Sequence, residues 1–220
     1  MAALLTFLVI IGTAFFFVDT FAIPIAIQLE EELETSAAFS YSGDTGPDKW
    51  GSLSPDYKAC SNGKSQSPIN IVEDKAVRNK TLKPLRRQYY PVNATLVNNG
   101  YNVEMEFGNA GVLIGNGKNY TLQQMHWHTH SEHTINNVSF DAELHLVHQA
   151  SDGSISVIAI LYELGSKPDP IIAKERSISK DQINALKAPL LPTCKNNYRP
   201  VQPLYGRQVA LFDDNNLYEC

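Results

Sequence analysis

Apolar and polar positions alternate along the chain in short runs separated by Asn/Gly turns. This period-2 pattern is that of half-buried β-strands. The runs fall at residues 94–97, 102–107, 111–114, 120–128, 142–148 and 155–162. One stretch carries a helical period instead. Ser179 is suited to cap it, Gln182 stands three residues on to complete a capping box, Ile183 and Leu186 supply an apolar stripe, and Pro189 ends it. The pattern predicts a mainly β (α+β) protein, with a central, largely antiparallel sheet and short peripheral helices.

The N-terminal pattern differs. Residues 2–18 are almost wholly apolar and are followed by Asp19 and a small-residue site at Thr20-Phe21-Ala22. This predicts a secretory signal peptide over residues 1–22, cut near Ala22, although the first residues carry no Lys or Arg. The competing reading is a membrane anchor, but a spanning helix needs about 20 apolar residues and this run is shorter. No stable membrane span is expected after cleavage. Residues 23–38 hold Glu30, Glu31, Glu32 and Glu34 without a core pattern and read as a mobile leader. A single domain is expected over residues 39–213, with a tail at 214–220.

Composition adds limits. A chain of 220 residues can bury one sizeable core. A net charge of −5, with no basic run, argues against nucleic acid as partner. Four sequons, at Asn79, Asn93, Asn119 and Asn137, suit a chain in the secretory pathway, extracellular or in an organelle reached through it. Asn119 lies close to a predicted strand.

The chemistry is concentrated in one stretch, residues 124–148, which contains all six histidines. Side chains at i and i+2 of a strand share a face. His126 and His128 therefore point one way with Trp127 opposite. On the next strand Glu143 and His145 share a face with Leu144 and Leu146 opposite, and residues 135–138 supply a turn between the two strands. Pairing the strands brings three imidazoles to one point, a donor set suited to Zn2+ that leaves a fourth position open. Gln124 and Glu143 are placed to hold the second ring nitrogens of His126 and His145. Strand histidines more often serve core or surface, and a lone His-x-His would be read so. The clustering here favours the metal.

Several motifs then resemble the α-class carbonic anhydrases, the secreted plant members above all. They are Tyr41-Ser-Gly, Gly46-Pro47, Trp50-Gly51, the run from Cys60 to Ile71, Asn98-Asn99-Gly100, the histidine stretch, and the segments 177–189 and 196–204. The resemblance covers roughly residues 39–212 and implies a carbonic-anhydrase-like domain. It implies reversible hydration of carbon dioxide to bicarbonate by a zinc held on His126, His128 and His145, which lowers the pKa of bound water to about 7, a value established for carbonic anhydrases as a class. His133 and His148 are expected to stand behind the ligands and serve structure, with His130 toward solvent. It places Asn99 and Tyr41 by the substrate pocket.

Two departures from the family pattern matter. Tyr101 stands at the proton-shuttle position after Asn98-Asn99-Gly100, and a phenol titrating near pH 10 is a poor relay. After Lys174 the chain passes directly to Glu175-Arg-Ser-Ile-Ser, which in the family follows several tens of residues later. The absent segment carries strands, one cysteine of the secreted-type disulfide, and the threonine that pairs with the glutamate matching Glu132. The expectations are an incomplete sheet, a loosely held C-terminal part, a Glu132 without its partner and an orphaned Cys60, with Cys60–Cys194 pairing one option and Cys220 left over. The alternative to an impaired enzyme is an inactive carbonic-anhydrase-like binding or storage protein.

Overall fold

The computed structural model describes residues 6–7, 39–115, 117–165 and 176–212. Most of the expected signal peptide, the leader, the Lys174 junction, the tail and Cys220 lie outside these.

The strands in chain order are β1 (Thr6–Phe7), β2 (Asn70–Ile71), β3 (Val77–Arg78), β4 (Arg86–Tyr89), β5 (Ala94–Asn98), β6 (Val103–Phe107), β7 (Gly111–Gly115), β8 (Lys118–His128), β9 (Thr134–Ile135), β10 (Val138–Ser139), β11 (Ala142–Gln149), β12 (Ile155–Leu164), β13 (Arg176–Ile178) and β14 (Ala210–Leu211). Each predicted run is found, with ends moved by a few residues. A nine-stranded sheet runs β1-β12-β11-β8-β6-β5, with β7 also on β8, β4 on β7, and β13 on β12. The pairings along β5, β6, β8, β11 and β12 are antiparallel, while β1 and β13 join β12 in parallel.

The hairpin at β9 and β10 corrects one expectation. Asn136 and Asn137 take φ of 50° and 65°, the left-handed pair that a tight two-residue hairpin requires. They do not join β8 directly to β11, however. The hairpin belongs to a separate three-stranded sheet, β10-β9-β2. The excursion from His128 to Ala142 thereby carries Glu132 and His133 back toward the face of the main sheet.

One face of the main sheet packs the core. Ala110, Leu113, Leu122, Leu144, Leu146 and Ile158 are buried together, with Tyr89, Phe107, Met125 and Trp127 packed against them. At Gly111, φ is +110° and a Cβ would stand 2.0 Å from the Gln88 carbonyl, so only glycine allows β4 and β7 to close here. His148 is fully buried on the same sheet. Its Nε2 lies 2.6 Å from the Tyr89 hydroxyl and its Nδ1 3.2 Å from the Ser156 carbonyl. The opposite face carries the histidine site.

The helix α3 (Lys180–Lys187) begins as predicted. The Ser179 hydroxyl accepts from the Gln182 N–H, and the Gln182 side chain accepts from the Ser179 N–H. Two short helices precede it, α1 (Trp50–Leu53) and α2 (Ala59–Asn62). On the outer side of β12, β1 pairs at residues 156–157 and β13 at 162–164. No strand among the described residues covers 158–161 between them. Several residues of the segment after α3 are buried. Leu190, Cys194, Asn197 and Arg199 are buried at 4%, 0%, 1% and 8% exposure. Cys60 and Cys194 are both free thiols, so the Cys60–Cys194 bridge is not formed.

Leu113 is 1% exposed at the centre of the core. Leu113→Ala should lower the unfolding free energy by about 2–5 kcal/mol. Urea denaturation followed by tryptophan fluorescence checks this, and an unchanged midpoint would show that the core lies elsewhere.

Candidate metal centre

Strand register builds the site. In the antiparallel pair of β8 and β11, His145 stands directly opposite His126, and Glu143 opposite His128. On the other side of β8, Glu104 is paired with His126. The ring centroids of His126, His128 and His145 are 4.7–5.2 Å apart. One ring nitrogen from each lies within 4.8 Å of the others.

The partners of these rings decide which nitrogens are free. His126 Nδ1 donates to Gln124 Oε1 at 2.8 Å, His128 Nδ1 to the Asn197 carbonyl at 2.5 Å, and His145 Nε2 to Glu143 Oε1 at 2.7 Å. All three partners are acceptor atoms, so each ring keeps its proton on the bonded nitrogen. The second nitrogen of each ring is thereby left as a lone-pair donor: Nε2 of His126 and His128, and Nδ1 of His145. His128 Nε2 is buried and has no hydrogen-bond partner. An orphaned buried ring nitrogen beside two others is the pattern a metal ligand leaves, so the residues fit zinc.

Electrostatics agree for two of the three rings. Burial, helped by the neighbouring His145, holds His126 down to about 3, and burial holds His128 well below its ordinary range. Both stay neutral and able to ligate. Burial disfavours charge on His145 too, but its hydrogen bond to Glu143 and the charges of Glu143 and Glu132 prevail and raise it.

Glu143 is the hub behind the site and has no exposed surface. Its Oε1 accepts from His145 and, at 2.6 Å, from His133 Nδ1, while Oε2 accepts the backbone N–H groups of Glu132 and His133 at 2.8 Å each. Burial pushes its carboxyl up, but these hydrogen bonds win and hold it ionised. His133, Glu143 and His145 also form a compact group of possible donors. The ring protons directed at Glu143 fill that space, so the group is a hydrogen-bonded support.

Glu132 is not left without a partner, as the sequence suggests. Its Oε1 accepts the Arg199 N–H at 2.9 Å, and its Oε2 lies 3.5 Å from His128 Nε2. Burial raises its carboxyl, despite His145 and the Arg199 N–H.

The remaining predicted residues lie around this centre. Tyr101 packs against Phe39 at 5.0 Å, next to Tyr41 and Trp50. Burial, with Glu104 and Tyr57 nearby, raises the Tyr101 phenol further, and burial raises Tyr41 strongly. Tyr41 lines a concavity of about 430 Å³ with Ser42, Thr193 and Tyr198, among others, and none of the three histidines lines it. The Asn99 amide is spent on its own turn, donating to Asn102 Oδ1 and accepting from the N–H groups of Tyr101 and Asn102. His130 is exposed and meets Tyr198 edge-on.

Two residues that sequence reasoning missed complete the site. Asn197 is buried. It gives its carbonyl to His128, accepts the Thr129 N–H and donates to the carbonyls of Tyr101 and Trp127. Arg199 ties the Glu132 carboxylate to the loop at Gln66 and Ser67. Both fall within the motif at 196–204, but no local pattern shows that the segment closes over β8.

A sheet with three inward imidazoles, each held by an acceptor, defines a class, and comparison with known proteins agrees. The family model for eukaryotic-type carbonic anhydrase matches residues 45–174. The chain belongs to that family. The match ends at Lys174, where the sequence pattern breaks off. Alpha carbonic anhydrase 5 of Arabidopsis thaliana is 46% identical over 143 residues, which is 64% of this chain and 51% of the relative. Alpha carbonic anhydrase 2 of the same plant is 43% identical over 161 residues, 71% of this chain and 65% of the relative. Dioscorin DB3L of Dioscorea polystachya is 36% identical over 187 residues, 82% and 64%. The chain thus spans about half the length of the first and under two thirds of the others. Among solved structures, dioscorin complexed with ascorbate superposes with a TM-score of 0.73 at 29% identity, over 77% of this chain and 95% of that one. The α-carbonic anhydrase of Thermovibrio ammonificans with sulfanilamide gives 0.69 at 28%, over 80% and 100%.

Two predictions follow from this geometry. His128→Ala should lose stoichiometric zinc while His130→Ala keeps it, as read by metal analysis of the purified chain. Full zinc retention by His128→Ala would overturn the assignment. The second concerns acid. Burial holds His148 down to about 4 and His126 down to about 3, while an unfolded histidine titrates near 6.5. The unfolded chain therefore binds more protons below pH 6.5, and stability falls as pH drops from there toward 4. His145 and Glu132, both raised, oppose this in part. The urea midpoint of the metal-free chain should be lower at pH 5 than at pH 7, with a smaller difference in His148→Gln.

Proposed function

We propose that this chain is a zinc-dependent carbonic anhydrase, acting on carbon dioxide and bicarbonate, whose turnover is impaired by the segment absent after Lys174. The observation that carries the first half is the orphaned His128 Nε2 beside two further ring nitrogens, in a chain of this family. His126, His128 and His145 would hold the ion. Zinc, when bound, supplies the Lewis acidity that makes water nucleophilic near neutral pH, the established role of the metal in carbonic anhydrases.

The chain's own groups do the rest. Gln124, the Asn197 carbonyl and Glu143 orient the three rings. Burial keeps His126 and His128 neutral. Glu132, fixed by the Arg199 N–H, is the carboxylate near the reacting position. The resemblance places a threonine that would orient the nucleophile against Glu132 in the segment expected after Lys174, and this chain would lack that hydroxyl. Tyr101, a phenol raised above its ordinary range, is a poor proton relay at neutral pH, so proton export is slow or depends on buffer or another group.

A second reading has support of its own. The likeness to dioscorins, one solved as a complex with ascorbate, fits a carbonic-anhydrase-like binding or storage protein without turnover. For either reading we place the chain in the secretory pathway, on the apolar N-terminal run and the four sequons.

Misplaced reacting groups commonly cost orders of magnitude in rate. Stopped-flow hydration assays should therefore show the chain far slower than a version with the family segment restored, at matched zinc content. Equal turnover would show the segment to be dispensable. No turnover in either, with zinc bound, would favour the binding protein.

A further inference from the structure

One sequon opens directly onto an end of the main sheet. Asn93 immediately precedes β5, which pairs with β6 on one side and with no strand on the other among the described residues. We propose that Asn93 is an N-glycosylation site whose glycan covers the β5 edge and keeps it from pairing with a second copy of the chain. This rests on the secretory route proposed above.

The edge itself needs a cover. Unpaired strands present free N–H and C=O groups to any other chain, and natural edges are blunted by charge, proline, bulges or a covering element. Strand β5 reads Ala-Thr-Leu-Val-Asn and contains no charged residue and no proline. Leu96 is 51% exposed within it, and just upstream Tyr90 is 49% and Val92 37% exposed. An uncharged edge flanked by exposed apolar side chains is a template for association.

The sequon is suited to the task. Asn93 and Thr95 are both exposed. The other three asparagines are more engaged. The Asn79 Oδ1 accepts from the N–H and hydroxyl of Thr81, Asn119 lies within β8 paired to Ile114, and the Asn137 Oδ1 accepts from the Asn70 amide. The donor is a lipid-linked oligosaccharide of the secretory apparatus. The Asn93 side-chain nitrogen bonds to the anomeric carbon, the bond from that carbon to the pyrophosphate oxygen breaks, lipid pyrophosphate leaves with the electron pair, and the amide gives up one proton.

The test uses the full chain secreted from a glycosylating eukaryotic host. Glycopeptide mass spectrometry should find Asn93 occupied, and light scattering should give a monomer. Enzymatic removal of glycans from the folded protein, and separately Thr95→Ala, should at least double the mass, whereas Thr95→Ser, which keeps the sequon, should not. Adding Leu96→Lys to Thr95→Ala should restore the monomer by charging the edge. An unoccupied Asn93, or a chain that stays monomeric without its glycan, overturns the proposal. Glycans at other sequons but not at Asn93 would sink it while leaving the secretory route standing, and zinc content reports separately on the metal reading.

Discussion

The site depends on the register of two antiparallel strands. With His145 opposite His126, the three site imidazoles of β8 and β11 share a face and the core leucines share the other. A slip of one residue would send these three rings into the apolar layer and the leucines to the site. The register is therefore held by burial on one side and by a polar network on the other. Glu143 shows how tightly the two are joined. It is fully buried and takes four hydrogen bonds, from His133, His145 and the backbone of the Glu132–His133 turn. Such a carboxylate is stable only when every partner is present. Ordering the excursion that carries Glu132 and His133 is thus part of forming the site.

The second closure comes from far along the chain. Asn197 reaches β8 from a segment 69 residues away and fixes His128 through its carbonyl. Arg199 repeats the device on Glu132. This explains why the segment after α3 is buried. It is tied to the histidine face through Asn197 and Arg199.

Much of this was legible in the sequence, for a physical reason. Strand period 2 is a local rule, so it assigned His126, His128 and His145 to one face and gave Gln124 and Glu143 as their supports. The Ser179 capping box is equally local. What the sequence did not show is non-local. The β9–β10 hairpin looked like the link from β8 to β11 because its turn chemistry is correct, yet it pairs with β2 and forms another sheet. Glu132 looked deserted because the resemblance implies a partner in a segment expected after Lys174, but the Arg199 N–H that holds it is a backbone group and leaves no residue signature. Asn99, placed by resemblance at the pocket, spends its amide on its own turn.

On the proposed reading three imidazoles, and only these, make the metal centre. X-ray absorption at the zinc edge of the loaded full-length chain tests it most directly. Three imidazole nitrogens are expected at about 2.0–2.1 Å, with one further light atom and no sulfur. A sulfur shell near 2.3 Å, which would bring in Cys60, Cys194 or Cys220, or a fourth imidazole, would contradict it.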